Sequence, residues 1–153
     1  MSLNTRGFPG EDATPVRVKA VIQRDGQYLL AQHDNRRPEN IGKWTFLGGW
    51  LDPADASPED TVVREFWEEL QVTGRVLGRI GSFAWPFRDP GPCLVFLVDI
   101  EGEPVPNEEL LDLRWYSRDE INQLHESNLL HMGIVCEAIE RALHLIVGSA
   151  DRR

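Results

Sequence analysis

Residues 48–72 read GGWLDPADASPEDTVVREFWEELQV, and the second half of that stretch carries the signals of a helix start. Ser57 can cap the first turn with its hydroxyl. Pro58 at the first helical position gives up no needed hydrogen bond, and Asp60 supplies an acidic residue at the third, a variant of the capping box. A helix is therefore expected from Ser57 to about Leu70. With residues spaced roughly 100° apart around its axis, Val62, Phe66, Leu70, Val63 and Trp67 form one apolar arc, which predicts a buried face. Glu65, Glu68 and Glu69, at i, i+3 and i+4, are expected to gather on the opposite side.

Like charges so spaced cost a helix about 0.2–0.5 kcal/mol per pair, and Arg64, at i, i+4 to Glu68, offsets only part of that. Carboxylate oxygens at this density suit a hard cation such as Mg²⁺, with Mn²⁺ as a substitute, held jointly by protein and substrate phosphates. An acidic run on an amphipathic helix is usually just its solvated face, and REFWEEL taken alone favours that reading. The sequence immediately before the helix is what tips the reading toward a metal site.

Outward from this segment, VRVKAVIQR (Val16 to Arg24) and QYLLAQH (Gln27 to His33) flank Asp25-Gly26, a two-residue hairpin signal. HDNRRPENIGKW reads as a polar loop and WTFLGGWL as a short strand ending at the double glycine. Arg75 to Phe83, Cys93 to Ile100 and Leu113 to Tyr116 read as further strands. Ser117-Arg118-Asp119-Glu120 is a second capping box opening a short helix, and His131 to Val147 has the i, i+3, i+4 apolar pattern of an amphipathic helix. Strands interleaved with helices imply an α/β fold, an α/β/α sandwich with a mixed central sheet.

The chain has 153 residues, 41% of them hydrophobic, enough for one domain with a sizeable core and not for two. We expect a flexible segment at 1–14, a single domain over 15–147 and a loose tail at 148–153. No apolar stretch is long enough to span a membrane, and the first residues offer neither a basic start nor an apolar run for export, so the expected location is the cytoplasm and no membrane partner is expected. Cys93 and Cys136 are the only cysteines, too few for a disulfide framework or a four-cysteine zinc site, and are read as buried thiols. A net charge of −9, from 25 acidic and 16 basic residues, disfavours a nucleic-acid polymer as partner. A phosphorylated small molecule is compatible with it if cations sit between the protein's carboxylates and the phosphates. Homodimerisation is left open.

Residues 48–72 resemble the signature of the Nudix hydrolase superfamily, G-x5-E-x7-R-E-U-x-E-E-x-G-U. Arg64-Glu65, Phe66, Glu68-Glu69 and Val72 stand at their expected places, and Gly48-Gly49 follows a strand as the family's double glycine does. Asp55 replaces the first glutamate, Ala56 is an extra residue, and Gln71 replaces the glycine after the helix. The likeness covers most of the chain. SFAWPFRDP, Ser82 to Pro90, resembles the SQPWPFPxS element of NADH pyrophosphatases at Ser82, Trp85, Pro86 and Phe87, and NEELLDLRWYS resembles a later family segment.

The resemblance implies a Nudix-type α/β/α sandwich and hydrolysis of a diphosphate bond in a nucleoside diphosphate-linked small molecule: a dinucleotide such as NADH or ADP-ribose, a (d)NTP or a sugar nucleotide. It implies metal ligation by Glu65, Glu68 and Glu69, joined by the Gly48 carbonyl; Glu109 is either a solvated loop residue or, by similarity to the family, a late-loop carboxylate that binds metal or orients water. Glu69 or Glu109 would act as base, and Arg64 would orient a carboxylate. Trp85 and Phe87 are either a platform for a base or a rigid apolar cover over the sheet; Arg36, Arg37 and Lys43 are either phosphate ligands or a solvated loop. The alternative function is a nucleotide-binding or regulatory module without catalysis.

Overall fold

The computed structural model of the chain describes residues 17–33, 38–85, 91–106, 110–131 and 134–151. Among the described residues, six strands and three α-helices follow in the order β1 (Arg17–Arg24), β2 (Gln27–His33), β3 (Leu47–Trp50), α1 (Pro58–Leu70), β4 (Thr73–Trp85), β5 (Gly91–Glu101), β6 (Leu110–Ser117), α2 (Arg118–Glu126) and α3 (Ile134–Asp151). The main sheet runs β4-β5-β1-β2-β6, with β3 also paired to β1. β1 and β5 are parallel and the other pairings antiparallel.

β1 is the strand on which the site depends. One of its edges carries β5. The other is divided, residues 17–20 pairing with β3 and residues 23–24 with β2. Because strand side chains alternate between faces, β1 and β5 feed two cores. Val18, Ala20, Ile22, Leu94, Phe96 and Val98 pack with Val62, Phe66 and Leu70 of α1. Val21, Cys93, Val95 and Leu97 pack instead with Ile121 of α2 and Val135, Ala138 and Ile139 of α3. Helices on both faces of a mixed sheet make the expected α/β/α sandwich, and among the described residues no helix is long and apolar enough to cross a membrane.

The turn and cap signals hold where they are local. Asp25 and Gly26 both have positive φ (52° and 77°), as a type I′ hairpin turn requires. The Ser57 side chain accepts from the Asp60 N–H, and the Ser117/Glu120 box has both of its arms.

The differences have tertiary causes. β3 runs through the double glycine instead of ending there: a Cβ on Gly48 would lie 2.0 Å from the Val18 carbonyl oxygen, so only glycine lets β3 close on β1 at this point. β6 is longer than its apolar core because it pairs along β2 from Gln27 to His33. α3 starts at Ile134, not His131, since the Trp44 N–H donates to the Leu129 carbonyl (2.8 Å) and the His131 N–H to the Trp44 carbonyl (2.9 Å), holding that segment extended. At its other end α3 continues past Val147 to Asp151. Cys93 is buried, and burial pushes its thiol up to about 11, whereas Cys136 is only partly buried.

The largest correction concerns the facing of α1. Trp67, expected in the buried arc, is 63% exposed, while Thr61 and Glu69 are buried with Val62, Phe66 and Leu70. The helix is rotated about its axis so that one side of the glutamate group turns toward the sheet. The helix ends at Gln71, which adopts the left-handed conformation (φ 56°, ψ 38°) and donates its N–H to the Trp67 carbonyl at 3.1 Å. A side chain there carries strain that glycine would not.

Truncating Phe66 to alanine should therefore cost about 3–5 kcal/mol, the range for a buried aromatic. Trp67→Ala should change stability by less than about 0.5 kcal/mol. Gln71→Gly should gain up to about 1 kcal/mol by relieving the left-handed strain. Urea unfolding midpoints of the three variants check this; equal losses at 66 and 67 would contradict the observed facing.

Candidate metal and diphosphate site

Arg64 is the centre of the acidic cluster. Its Nη2 and Nε lie 3.1 and 3.2 Å from Asp55 Oδ2, and Nη1 lies 2.9 Å from Glu68 Oε1. Glu65 Oε1 is 3.6 Å and Asp52 Oδ2 3.8 Å from Nη2. One guanidinium thus faces four carboxylates. The hydrogen bonds from Arg64 and then Thr61 hold the Asp55 carboxyl below the usual carboxylate range, and those that Arg64 donates to Asp55 and Glu68 push its guanidinium further toward permanent charge.

The three glutamates share one flank of α1 but point in different directions. Glu68 is 51% exposed and tied to Arg64. Glu65 is mostly covered, and its carboxylate lies against Gly49: a Cβ added there would come within 2.9 Å of Glu65 Oε1. Glu69 is only 5% exposed. It lies within electrostatic reach of Lys19, whose Nζ donates to the Phe46 carbonyl at 3.1 Å and whose ammonium is held below its ordinary pKa by burial. Among the described residues no three Asp, Glu, His or Cys side chains are already gathered as a metal cage. The expected single patch opposite the apolar arc is thus corrected to an exposed Glu68, a covered Glu65 and a buried Glu69. Of the neighbouring cations, Arg64 meets Glu65 and Glu68, and Lys19 lies within electrostatic reach of Glu69 and Glu65.

These residues nevertheless suit a hard divalent ion. Every donor is an oxygen, negative charge exceeds positive around Arg64, and Gly49 leaves a recess that the Glu65 carboxylate occupies. Gly48 lies opposite Lys19 in the β1–β3 pairing, next to that recess.

Of the other expected residues, Trp85 ends β4 opposite Gly91. Arg36, Arg37, Phe87 and Glu109 lie outside the described residues. The Lys43 N–H closes a turn on the Asn40 carbonyl at 3.2 Å.

Three neighbours of the site were missed. Lys19 sits in the run VRVKAVIQR, where a lysine in a strand covered on both faces was a signal in itself. Trp50, directly after the double glycine, is 54% exposed, and the Arg17 guanidinium stacks 4.2 Å from its ring centre. Thr61 is buried against Asp55, and no sequence signal distinguished its hydroxyl from helix surface.

The NUDIX domain family model matches residues 13–134. The NAD-capped RNA hydrolase NudC of Photorhabdus laumondii is 30% identical over 120 residues, 77% of this chain and 45% of that protein. Its counterpart from Pectobacterium atrosepticum is 35% identical over 109 residues, 70% of this chain and 40% of that protein. The chain spans less than half the length of these two relatives. The solution structure of the E. coli ORF135 protein is similar with a TM-score of 0.67 and 26% identity, covering 86% of this chain and 90% of that one. The matched segment contains the double glycine, the Arg64 cluster and all six strands, and on that match the chain belongs to the NUDIX domain family.

Proposed function

We propose that this protein is a pyrophosphohydrolase that uses Mg²⁺, or Mn²⁺ in its place, to cleave the diphosphate of a nucleoside diphosphate-linked small molecule. The observation that carries the reading is the Arg64 cluster, where Glu65 is seated on Gly49 and Glu68 on the guanidinium, with Glu69 buried beside them. Glu65, Glu68 and Glu69 would hold the ion, with the Gly48 carbonyl and Glu109 as further ligands. When bound, the ion supplies charge neutralisation at the phosphate oxygens and acidification of water.

The chain's own residues do the rest. Arg64 keeps the Glu68 carboxylate in place and ties the loop at Asp55 to the helix. Glu69 or Glu109 accepts the proton of the attacking water. The water oxygen bonds to phosphorus as the bridging P–O bond breaks, and the second phosphate leaves with those electrons. Trp85 and Phe87 are proposed to stack on a base, and Arg36 and Arg37 to hold phosphate oxygens.

Two observations support an NAD-type dinucleotide such as NADH or ADP-ribose over a (d)NTP: the SxxWPF element and the relatives named for NAD-capped RNA. Those names also bring an RNA end into consideration, against the expectation drawn from charge. A formal charge of −9 opposes a polymer tail, so the free dinucleotide is the substrate proposed. The test is a panel of NADH, ADP-ribose, dNTPs, a UDP-sugar and a short NAD-capped RNA with Mg²⁺ or Mn²⁺, products being resolved by chromatography. AMP with reduced nicotinamide mononucleotide from NADH, and AMP with ribose 5-phosphate from ADP-ribose, are expected, abolished by EDTA and restored by Mg²⁺. Tight binding of one compound with no product from any would replace the enzyme with a nucleotide-binding module.

Glu68→Gln and Glu69→Gln should each lower Mg²⁺-dependent turnover by about a hundredfold or more, beyond the ten- to hundredfold loss usual for a ligand's supporting partners. Far-UV circular dichroism should be unchanged, and activity surviving both changes would remove these residues from the metal site.

The two glycines should separate fold from function. Gly49→Ala pushes first on the Glu65 carboxylate, which holds the three atoms nearest to the added Cβ, so the half-saturating Mg²⁺ concentration should rise about tenfold while the melting temperature holds. Gly48→Ala drives a Cβ into the Val18 backbone and should lower the melting temperature itself.

A further inference from the structure

We propose that Thr61 is a positioning residue: its buried hydroxyl fixes the shortened Asp55 side chain so that Asp55 can orient Arg64, and through Arg64 the carboxylates of Glu68 and Glu65. The inference rests on the metal-dependent reading above and deepens it.

The chain has an aspartate where the resembling signature has a glutamate, and one more residue, Ala56, between it and the helix. Losing a methylene shortens the reach of the carboxylate by about 1.5 Å, one carbon–carbon bond. Asp55 nevertheless meets Arg64 side-on. Its Oδ2 receives Nη2 at 3.1 Å and Nε at 3.2 Å, and Oδ1 receives Nε at 3.3 Å.

The third group on Oδ2 is the Thr61 hydroxyl, which donates at 2.7 Å. It is the shortest of the bonds to that carboxylate, and Thr61 is fully buried. Thr61 and Arg64 are three residues apart on α1, so they rise from one face of the helix and grip the same oxygen from two points. A second restraint shapes the loop: Asp52 Oδ1 accepts from the Ala54 N–H at 2.9 Å, and the Asp55 N–H donates to the Asp52 carbonyl at 3.0 Å. The backbone sets where Asp55 sits, and Thr61 sets how its carboxylate is turned.

The consequence passes to the metal side. With Nε and Nη2 engaged by Asp55, the guanidinium plane is set, and Nη1 is aimed at Glu68 Oε1 at 2.9 Å while Nη2 stays 3.6 Å from Glu65 Oε1. A threonine inside a helix is a weaker helix former than alanine and brings a hydroxyl into the core that must find an acceptor. Both costs are offset by what the hydroxyl holds.

The test compares Thr61→Val, which keeps the shape and deletes the donor, with Thr61→Ser, which keeps the donor. Mn²⁺ affinity is measured by electron paramagnetic resonance titration, alongside kcat and KM. Thr61→Val should weaken Mn²⁺ binding and lower kcat by about tenfold each, with KM for the nucleotide unchanged, and Thr61→Ser should restore both. In an Asp55→Ala background, Thr61→Val should add almost nothing, because its effect runs through Asp55.

A Thr61→Val protein with lower melting temperature but unchanged Mn²⁺ affinity and kcat would overturn the proposal. So would an undiminished effect in the Asp55→Ala background. If the wild type hydrolyses nothing while Thr61→Val still weakens Mn²⁺ binding, the hydrolase reading fails and the positioning role stands. A wild type that binds no Mn²⁺ would end both.

Discussion

Arg64 joins two parts of the chain that would otherwise repel each other. The loop before α1 brings Asp52 and Asp55, and the helix brings Glu65 and Glu68; one guanidinium lies within 3.8 Å of all four. A guanidinium is suited to this because it stays charged and carries five donors in a rigid fork, so it can serve several carboxylates at fixed angles where an ammonium could not. Since Arg64 is about one-third exposed, its ion pairs contribute geometry more than stability. Its value lies in setting directions for the acidic side chains.

That arrangement depends on the sheet beneath it. β1 divides one edge between β3 and β2, and the double glycine on β3 meets α1 at Glu65. Gly48 allows backbone to meet backbone, and Gly49 allows a carboxylate to meet backbone. Neighbouring residues of one type thus meet two different steric demands, one belonging to the fold and the other to the site.

The site's electrostatics follow from the same placement. Glu69 and Lys19 are both nearly covered, and burying a carboxylate and an ammonium separately would be costly. Each is within the other's field, and Lys19 also donates to the Phe46 carbonyl. The exposed side of the cluster is left to Glu68, with Trp50 and its stacked Arg17 beside the double glycine.

Much of this was readable from residue order, and the rest was not, for one reason of range. The Asp25-Gly26 turn, both serine caps and the helix over Pro58–Leu70 rest on interactions a few residues apart, so the chain's local chemistry settles them wherever the segment lies. The family pattern in 48–72 likewise drew attention to Arg64 and the glutamates beside it, whose role as ligands is a proposal. Residue order could not tell which side of α1 faces the sheet. The apolar arc alone favoured Trp67, but Gly49, Lys19 and Asp55 together turn the helix toward Glu65 and Glu69, and those three groups come from β3, β1 and a loop. The start of α3 and the length of β6 depend in the same way on distant partners, Trp44 and β2. Short-range hydrogen bonds and torsional preferences thus belong to the linear chain, whereas burial and the orientation of charged side chains emerge only when separate segments compete for the same space.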